Sequence, residues 1–168
     1  MKRWLDVKEK DMTNAITMYS YLHARPTTST SDILGHFSWK EARVVKSTIM
    51  SEVSKEGRDS PIALLKYVSD MPQYFKEKLG KPRDPTTEIS NIGVWQGKMN
   101  ESAKWKVGRM VFSQYPNLVT GAFAVSVVTG GDGCAVLNFC WSEGAVEKDL
   151  MERVISGMRE GIDRLVIA

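Results

Sequence analysis

The feature of this chain that most constrains its fold is a pair of apolar runs joined by a glycine-rich turn. Residues 119–129 are rich in Ala, Val and Phe, and residues 134–141 form a second apolar run. Gly130-Gly131-Asp132-Gly133 between them predicts a hairpin, because glycine adopts the positive φ angles of tight turns at no steric cost. The first run has almost no polar alternation, which indicates a strand buried on both faces. The sequence therefore predicts an antiparallel hairpin with a buried first strand.

Helix signals lie on both sides of this hairpin. Ser38-Trp39-Lys40-Glu41 fits a capping box and predicts a helix that ends at Gly57. Ser60-Pro61 opens a second helix, which Pro72 breaks or kinks before a third helical segment over 73–79. A long amphipathic helix is predicted near the C-terminus, because apolar residues recur there at spacings of three and four. Its predicted buried stripe consists of Val146, Leu150, Val154, Met158, Ile162 and Leu165.

Three further segments have the composition of strands. Residues 13–24 are rich in aromatic and β-branched side chains, and residues 86–92 and 105–113 are shorter candidates. The order is then one strand, two or three helices, three or four strands and a final helix, which is typical of the α+β class. We predict a mixed, mostly antiparallel sheet with helices packed on one face. This sheet and its helices form a single domain over 13–168, preceded by a peripheral segment over 1–12.

Length, charge and hydropathy exclude several classes of protein. A chain of 168 residues and 18.9 kDa fits one domain. The formal net charge is only +3, and Lys and Arg alternate with Asp and Glu, so no nucleic-acid partner is predicted. No apolar run is long enough to span a membrane, and the N-terminus lacks the apolar stretch of a secretory signal. We therefore expect a cytoplasmic protein.

The cysteines and histidines give no signal for a disulfide or a metal site. Cys134 and Cys140 lie in one predicted strand, roughly 20 Å apart at ~3.3 Å per residue, whereas a disulfide needs Cα atoms within about 7 Å. The chain has no CxxC or HxxxH spacing, so no zinc site is predicted. Asp32 and His36 have the spacing of an acid–base pair on a helix. However, Gly35 places them in a loop, where that spacing does not bring them together.

A series of motifs, taken in order, resembles a known family. The most specific is Glu88-Ile89-Ser90-Asn91-Ile92-Gly93-Val94-Trp95, which is similar to the Ser-Asn-Leu-Gly strand of fungal alcohol acetyltransferase-like enzymes. Those enzymes belong to the wider superfamily of CoA-dependent acyltransferases, and the run from Tyr21 onward resembles their C-terminal half. The other matching stretches are Leu22-His23-Ala24-Arg25-Pro26, Leu34-Gly35-His36-Phe37, Trp39-Lys40-Glu41-Ala42-Arg43, Phe112-Ser113-Gln114, Ala124-Val125-Ser126-Val127-Val128, Leu137-Asn138-Phe139-Cys140-Trp141 and Glu143-Gly144.

The resemblance implies one half of a fold built from two similar sheet-and-helix halves around a tunnel. It implies a CoA thioester as acyl donor, although the residues themselves point to no cofactor. The chemistry of the family depends on a His-x-x-x-Asp motif in the other half, where the histidine removes the proton of the acceptor hydroxyl. This sequence has no such motif, since His23 is followed four residues later by Thr27 and His36 by Lys40. We therefore do not expect the standard acyl transfer from this chain alone.

Candidate site residues lie around the Ser-Asn-x-Gly stretch and at the two histidines. Asn91 is a candidate catalytic residue, because its amide can hold a carbonyl or hydroxyl group at a strand end beside Gly93; its alternative role is to cap a turn. His23 and His36 are candidate proton relays, with a structural surface role as the alternative. Candidate substrate-binding residues are Arg25, Ser90, Trp95, Phe112 and Trp141. Arg25 would hold an anionic group or form a surface ion pair, and the aromatic residues would line an apolar pocket or the core.

Two classes of function remain open from the sequence. The first is a truncated acyltransferase-like enzyme of small-molecule metabolism, of the kind found in fungal secondary metabolism. It would bind a hydrophobic metabolite and catalyse acyl transfer with a partner, or a different reaction such as cyclisation or isomerisation. The second is a non-catalytic binding or scaffolding subunit. One half alone exposes the apolar surface that its sister half covers, so we expect a homo-oligomer or a partner subunit, with a closed monomer as the alternative.

Overall fold

The computed structural model describes residues 18–24, 26–27, 31–55, 61–83, 85–95, 102, 104–115 and 119–167. The chain divides into two compact units, Met1–Tyr74 and Phe75–Ala168. Its elements are, in chain order, helix α1 (Trp39–Ser54), a 3₁₀ helix (Pro61–Tyr67), helix α2 (Met71–Lys76), strands β1 (Thr87–Val94), β2 (Phe123–Thr129) and β3 (Ala135–Trp141), and helix α3 (Lys148–Ile167). The predicted α+β class is confirmed. The peripheral segment 1–12 lies outside the described residues, and the single domain over 13–168 stays a prediction.

Helix α1 begins where the capping box predicts. Ser38 has the extended backbone of an N-cap, with a φ of −140°, and its Oγ accepts the N–H of Glu41 at 3.4 Å. This bond satisfies one of the backbone donors that a helix start leaves without an intrahelical partner. The helix ends at Ser54 with Lys55 as its C-cap, and the predicted stop at Gly57 lies outside the described residues.

The segment after Ser60-Pro61 is helical, as predicted, but it forms a 3₁₀ helix. Pro72 lies in the first turn of α2, where its missing N–H has no intrahelical acceptor to lose. Asp70 caps this helix, because its Oδ1 accepts the N–H of Gln73 at 2.9 Å. Pro72 therefore marks the start of a helix, which explains why the sequence pattern breaks at this position.

The strand predicted over 13–24 is absent from its described part. Residues 18–24 form no strand, and residues 13–17 lie outside the described part of the chain. A strand requires a neighbour that bonds its N–H and C=O groups. The described residues of the first unit contain only helices, turns and irregular segments, so they offer residues 18–24 no such neighbour. The strand prediction, which rested on the local composition, was therefore wrong for residues 18–24.

The second unit contains a mixed sheet, as predicted, and its strand order is β1-β2-β3. Strands β1 and β2 are parallel, with Ser90 opposite Ser126, and strands β2 and β3 are antiparallel, with Ser126 opposite Asn138. The predicted hairpin joins β2 to β3, and its backbone closes through Gly130 N, which donates to Cys134 O at 3.1 Å. Strand β2 begins at residue 123, later than the predicted 119, because its ladder to β3 begins only there.

Strand β2 is buried on both faces, which confirms the prediction from its apolar composition. Ala124 and Val128 are 7% and 2% exposed, and they share one face because successive side chains of a strand alternate. Val125 is 2% exposed and lies on the opposite face. The fully buried Met151 of α3 completes the apolar core of this unit.

Helix α3 is confirmed, but its buried stripe differs from the predicted one. Leu150 and Ile162 are 45% and 42% exposed, whereas Met151 and Gly161 are buried. The covered line consists of Met151, Val154, Met158, Gly161 and Leu165. Val154, Met158 and Leu165 of the predicted stripe are therefore confirmed, whereas Met151 takes the place of Leu150 and Gly161 that of Ile162, and Val146 precedes the helix. The covered residues recur at alternating spacings of three and four. None of the described helices is long and apolar enough to cross a membrane.

Residues 104–115, which we call the crossing segment, contain no strand, so the strand predicted over 105–113 is wrong. A backbone hydrogen bond joins this segment to the hairpin turn, since Gly131 N donates to Gly108 O at 2.9 Å. A Cβ atom on Gly130 would lie 2.6 Å from Gly108 O and 2.8 Å from Met110 N. Gly130 follows Ser126 and Val128 at steps of two, so the crossing segment lies over the face that carries Ser126. The segment crosses the hairpin instead of pairing with its edge.

We predict that Gly131→Ala destabilises the second unit by about 2 kcal/mol, because the added Cβ would overlap the backbone oxygen of Val107. Urea-induced unfolding of the full chain measures this change. Gly108→Ala is the matched control, since a Cβ at Gly108 would meet no atom within 4 Å. Equal stability of the two variants would show that the crossing segment does not lie against the turn.

Candidate functional site

The Ser-Asn-x-Gly stretch forms an irregular end of β1. Gly93 has a φ of 85°, a left-handed conformation that glycine tolerates, and the register to β2 shifts between Asn91 and Val94. The Oδ1 atom of Asn91 accepts the N–H of Gly93 at 2.8 Å, which stabilises this bend. Asn91 therefore caps a turn, the alternative that the sequence left open. Because its oxygen is used, the Nδ2 group supplies the hydrogen bonds that could serve a substrate.

Two of the predicted substrate-binding aromatic residues, Trp95 and Trp141, lie near opposite ends of strand β2. Trp95 is at its turn end, since Trp95 N donates to Thr129 O at 2.9 Å. Trp141 is at the opposite end of β2, where it pairs with Phe123. Six residue steps separate the two pairs, which corresponds to about 20 Å at ~3.3 Å per step. The sheet therefore does not bring these two indoles together, although each is partly exposed.

The two histidines lie in the first unit, whereas the β1 residues lie in the second. His23 is exposed, and its ring centroid is 4.6 Å from that of Tyr21. His36 is exposed in a turn, as predicted, and that turn is closed by Gly35 N, which donates to Asp32 O at 3.0 Å. Arg25, the predicted anion ligand, lies outside the described residues.

A polar row across the sheet was not predicted from the sequence. Ser90, Ser126 and Asn138 stand in register on β1, β2 and β3, so their side chains share one face. Ser126 is 1% exposed, and its buried Oγ has no hydrogen-bond partner. A single serine within the apolar run 123–128 is the sequence signal that could have identified this row. A buried hydroxyl without a partner is unusual, because desolvation is not compensated.

Polar contacts also connect the crossing segment to the hairpin turn. Arg109 Nε donates to Asp132 Oδ2 at 3.2 Å, and an Arg109 terminal nitrogen lies 3.1 Å from Cys134 Sγ. The pKa of Asp132 is lowered mainly because its carboxylate accepts the backbone N–H of Cys134, and Arg109 adds to this effect. The pKa of Arg109 is raised by its hydrogen bonds to Asp132 and Cys134. Arg109 and Asp132 are exposed and Cys134 is half-buried, so we assign this cluster the role of orienting the turn.

Both cysteines are free thiols. Within the described ranges, no group of three or more His, Cys, Asp or Glu side chains is arranged to hold a metal ion. The candidate groups on the sheet are therefore neutral hydrogen-bonding side chains: Ser90, Ser126 and Asn138 lie on one face, and Asn91, which follows Ser90 in β1, lies on the opposite face. Such groups can orient a carbonyl or a hydroxyl group, but none of them is a general base near neutral pH.

Comparison with known proteins points to one family. The sequence model described as "Alcohol acetyltransferase" matches residues 46–158. A probable alcohol acetyltransferase of Aspergillus fumigatus is 34% identical over 167 residues, which cover 94% of this chain and 36% of that protein. A probable alcohol acetyltransferase of Fusarium pseudograminearum is 30% identical over 91 residues, which cover 54% of this chain and 18% of that protein.

A third relative, an uncharacterized protein of Schizosaccharomyces pombe, is 28% identical over 158 residues, which cover 88% of this chain and 33% of that protein. The chain thus spans about a third of the length of the first and third of these relatives. No solved structure matches the chain.

We predict that Ser126→Ala raises the free energy of unfolding by about 1 kcal/mol, because it removes a buried hydroxyl that has no partner. Urea-induced unfolding in buffer without added ligand measures the change. Ser113→Ala removes an exposed hydroxyl of the crossing segment, and we expect a change within about 0.5 kcal/mol. A loss of stability in Ser126→Ala would mean that the hydroxyl has a partner in solution.

Proposed function

Because this chain belongs to the alcohol acetyltransferase family, we propose that it is a substrate-binding lobe of an acyltransferase-derived enzyme of small-molecule metabolism. In this proposal, a small hydrophobic metabolite binds where β1 meets a second subunit. The observation that carries it is the exposed apolar surface of β1 beside Ser90 and Asn91. The matched relatives are much longer than this chain. Their named activity therefore supports the proposal, but the complete activity is not assigned to this chain. A cytoplasmic location stays a prediction.

Strand β1 has the properties of an interface. Ile89, Ile92 and Val94 are 64%, 56% and 61% exposed. Among the described strands, β1 pairs only with β2, so its other edge presents backbone N–H and C=O groups. Long apolar edge strands are sites of association, since pairing satisfies these groups and buries the side chains. We propose that a second copy of this chain covers the edge and completes a cleft beside Asn91.

The chemistry that this chain supplies is orientation of the substrate. The acyl transfer of the family requires a base for the acceptor hydroxyl, and the sequence has no His-x-x-x-Asp motif. His23 and His36 are exposed, and neither hydrogen-bonds to a described carboxylate. We propose that the Asn91 amide positions the metabolite at the edge of β1, with the Ser90 hydroxyl reaching it only from the opposite face of the strand. A reaction such as cyclisation or isomerisation then proceeds from the oriented substrate, and acyl transfer takes place only where a partner supplies the base.

A second candidate is a non-catalytic binding or scaffolding subunit. The exposure of both histidines supports it, because a proton relay works best in a site that excludes water. The two functions share the interface at β1 and differ only in whether the bound metabolite is converted. Turnover therefore separates them, whereas binding does not.

We predict that the chain self-associates at tens of micromolar and that Ile92→Glu makes it monomeric, because a charge on an apolar interface loses its hydration on association. Analytical ultracentrifugation measures the mass of each species. Leu150→Glu places the same charge on an exposed apolar position of α3 and is expected to leave association unchanged. A wild-type chain that sediments as a monomer throughout this range would overturn the interface.

We predict that a hydrophobic metabolite co-purifies with the chain and that Asn91→Ala lowers its turnover about tenfold, since one substrate-orienting hydrogen bond is lost. Mass spectrometry of the purified protein identifies the metabolite, and a product assay follows its conversion. His23→Ala and His36→Ala test the two proton relays in the same assay, with Ser113→Ala as the surface control. Unchanged turnover in all three site variants would show that the site is placed wrongly, and binding without conversion would favour the scaffolding subunit.

A further inference from the structure

The outer edge of strand β1 presents a row of backbone groups, and one hydrogen bond shows which residues carry them. Trp95 N donates to Thr129 O, so Thr129 directs its backbone towards β1, and Val94 opposite it directs its own backbone away from β2. The residues of a strand face its two neighbours in alternation, so the β1 partners of every second β2 residue also point outward. These partners are Asn91, Ile89 and Thr87.

The regular part of this edge lacks the features that usually prevent pairing with another chain. Edge strands of soluble proteins commonly carry a lysine, a proline or a bulge. Residues 87–91 contain neither lysine nor proline, and the register shift of β1 comes only after Asn91. Ile89 and Asn91 are both exposed, and within the described part of the chain no strand pairs with this edge. The edge is therefore open to a further strand.

A second copy of the chain fits this edge through a two-fold axis perpendicular to the sheet. Two identical strands related by such an axis are antiparallel, and each outward residue must stand opposite an outward residue of the other copy. With Ile89 on the axis, Ile89 pairs with itself and Thr87 pairs with Asn91, so the outward groups of residues 87–91 are all bonded. An axis at Ser90 or at Asn91 would instead set an outward residue opposite Gly93, whose N–H already donates to the Asn91 side chain.

The side chains agree with this register. The two Ile89 side chains, each 64% exposed in one copy, would cover each other at the axis. Glu88 would stand opposite Ser90 of the second copy, so no two carboxylates are directly opposed. Thr87 Oγ1 donates to Phe123 O at 3.1 Å, and its lone pairs stay available to the Asn91 amide of the second copy. Within one chain, Thr87 and Asn91 are four residue steps apart, so only a second copy brings them together.

We propose that two copies of the chain join β1 to β1 in one antiparallel ladder with Ile89 on the two-fold axis. In this ladder Thr87 of each copy completes the site at Asn91 of the other, and the sheet continues across both copies. The ladder rests on the proposed function, which places a second copy at this edge. It adds the register of the contact and the residue that the second copy contributes.

Disulfide trapping tests the ladder in a full chain whose Cys134 and Cys140 are replaced by alanine. Ile89→Cys should give a disulfide-linked dimer, because opposite Cα atoms of a hydrogen-bonded antiparallel pair are about 5.5 Å apart, within disulfide range. Ile92→Cys is the matched control, since Ile92 is 56% exposed on the same strand, whereas its two copies would lie roughly 20 Å apart. We expect about tenfold more dimer from Ile89→Cys after mild oxidation at tens of micromolar, measured by non-reducing gel electrophoresis.

A mixture of two single variants tests the register. Thr87→Cys and Asn91→Cys chains should cross-link when they are mixed, because these two positions are directly opposite in the ladder. Neither should cross-link alone, since like positions are then four residue steps apart, about 13 Å. Circular dichroism before oxidation shows that each variant is folded, and the mixture replaces Ile89→Cys as the test if that variant does not fold.

The outcomes separate the ladder from the proposed interface. Equal trapping of Ile89→Cys and Ile92→Cys, or trapping of Asn91→Cys with itself, would overturn the ladder. If the wild-type chain still sediments as a dimer in either case, the proposed interface stays in place. A wild-type chain that sediments as a monomer, together with no trapped dimer in any variant, would overturn the ladder and the interface together.

Discussion

Strand β2 is enclosed on every side, and the rest of the second unit is arranged around it. It is bonded to β1 on one edge and to β3 on the other, and both of its faces are covered. A strand in this position must be apolar, because any polar side chain on it loses its hydration without a guaranteed partner. Ser126 is the exception to this composition. Its cost to stability is the reason to expect a role that apolar residues could not fill.

The glycines of the hairpin turn have two functions that are inseparable in the structure. Gly133 has the positive φ that the turn requires, whereas Gly130 and Gly131 leave room for the backbone of the crossing segment. Side chains at those two positions would overlap that backbone. The turn thus places a row of peptide groups over the face that carries Ser126 and Asn138. In this way a local turn signal also determines what covers the polar row.

Strand β1 serves both the candidate site and the proposed interface. Its irregular end carries Asn91 in a turn-capping bond to Gly93, while Ile89 and Ile92 are exposed. Family membership gives this combination a meaning, because an acyltransferase-derived lobe needs both a substrate and a surface that closes over it. Both histidines, His23 and His36, are exposed, so in the function proposed above a partner supplies the base for acyl transfer.

Local features of the fold could be predicted from the sequence. The cap at Ser38, the turn at 130–133 and the long final helix follow from a few neighbouring residues each, and the structure contains all of them. Other features depend on long-range packing: residues 18–24 and 105–113 form no strand, Met151 rather than Leu150 is buried, and the Ser126 hydroxyl has no partner. Strand pairing, the covered side of a helix and the fate of a buried hydroxyl all depend on residues distant in sequence, which alternation and periodicity do not encode.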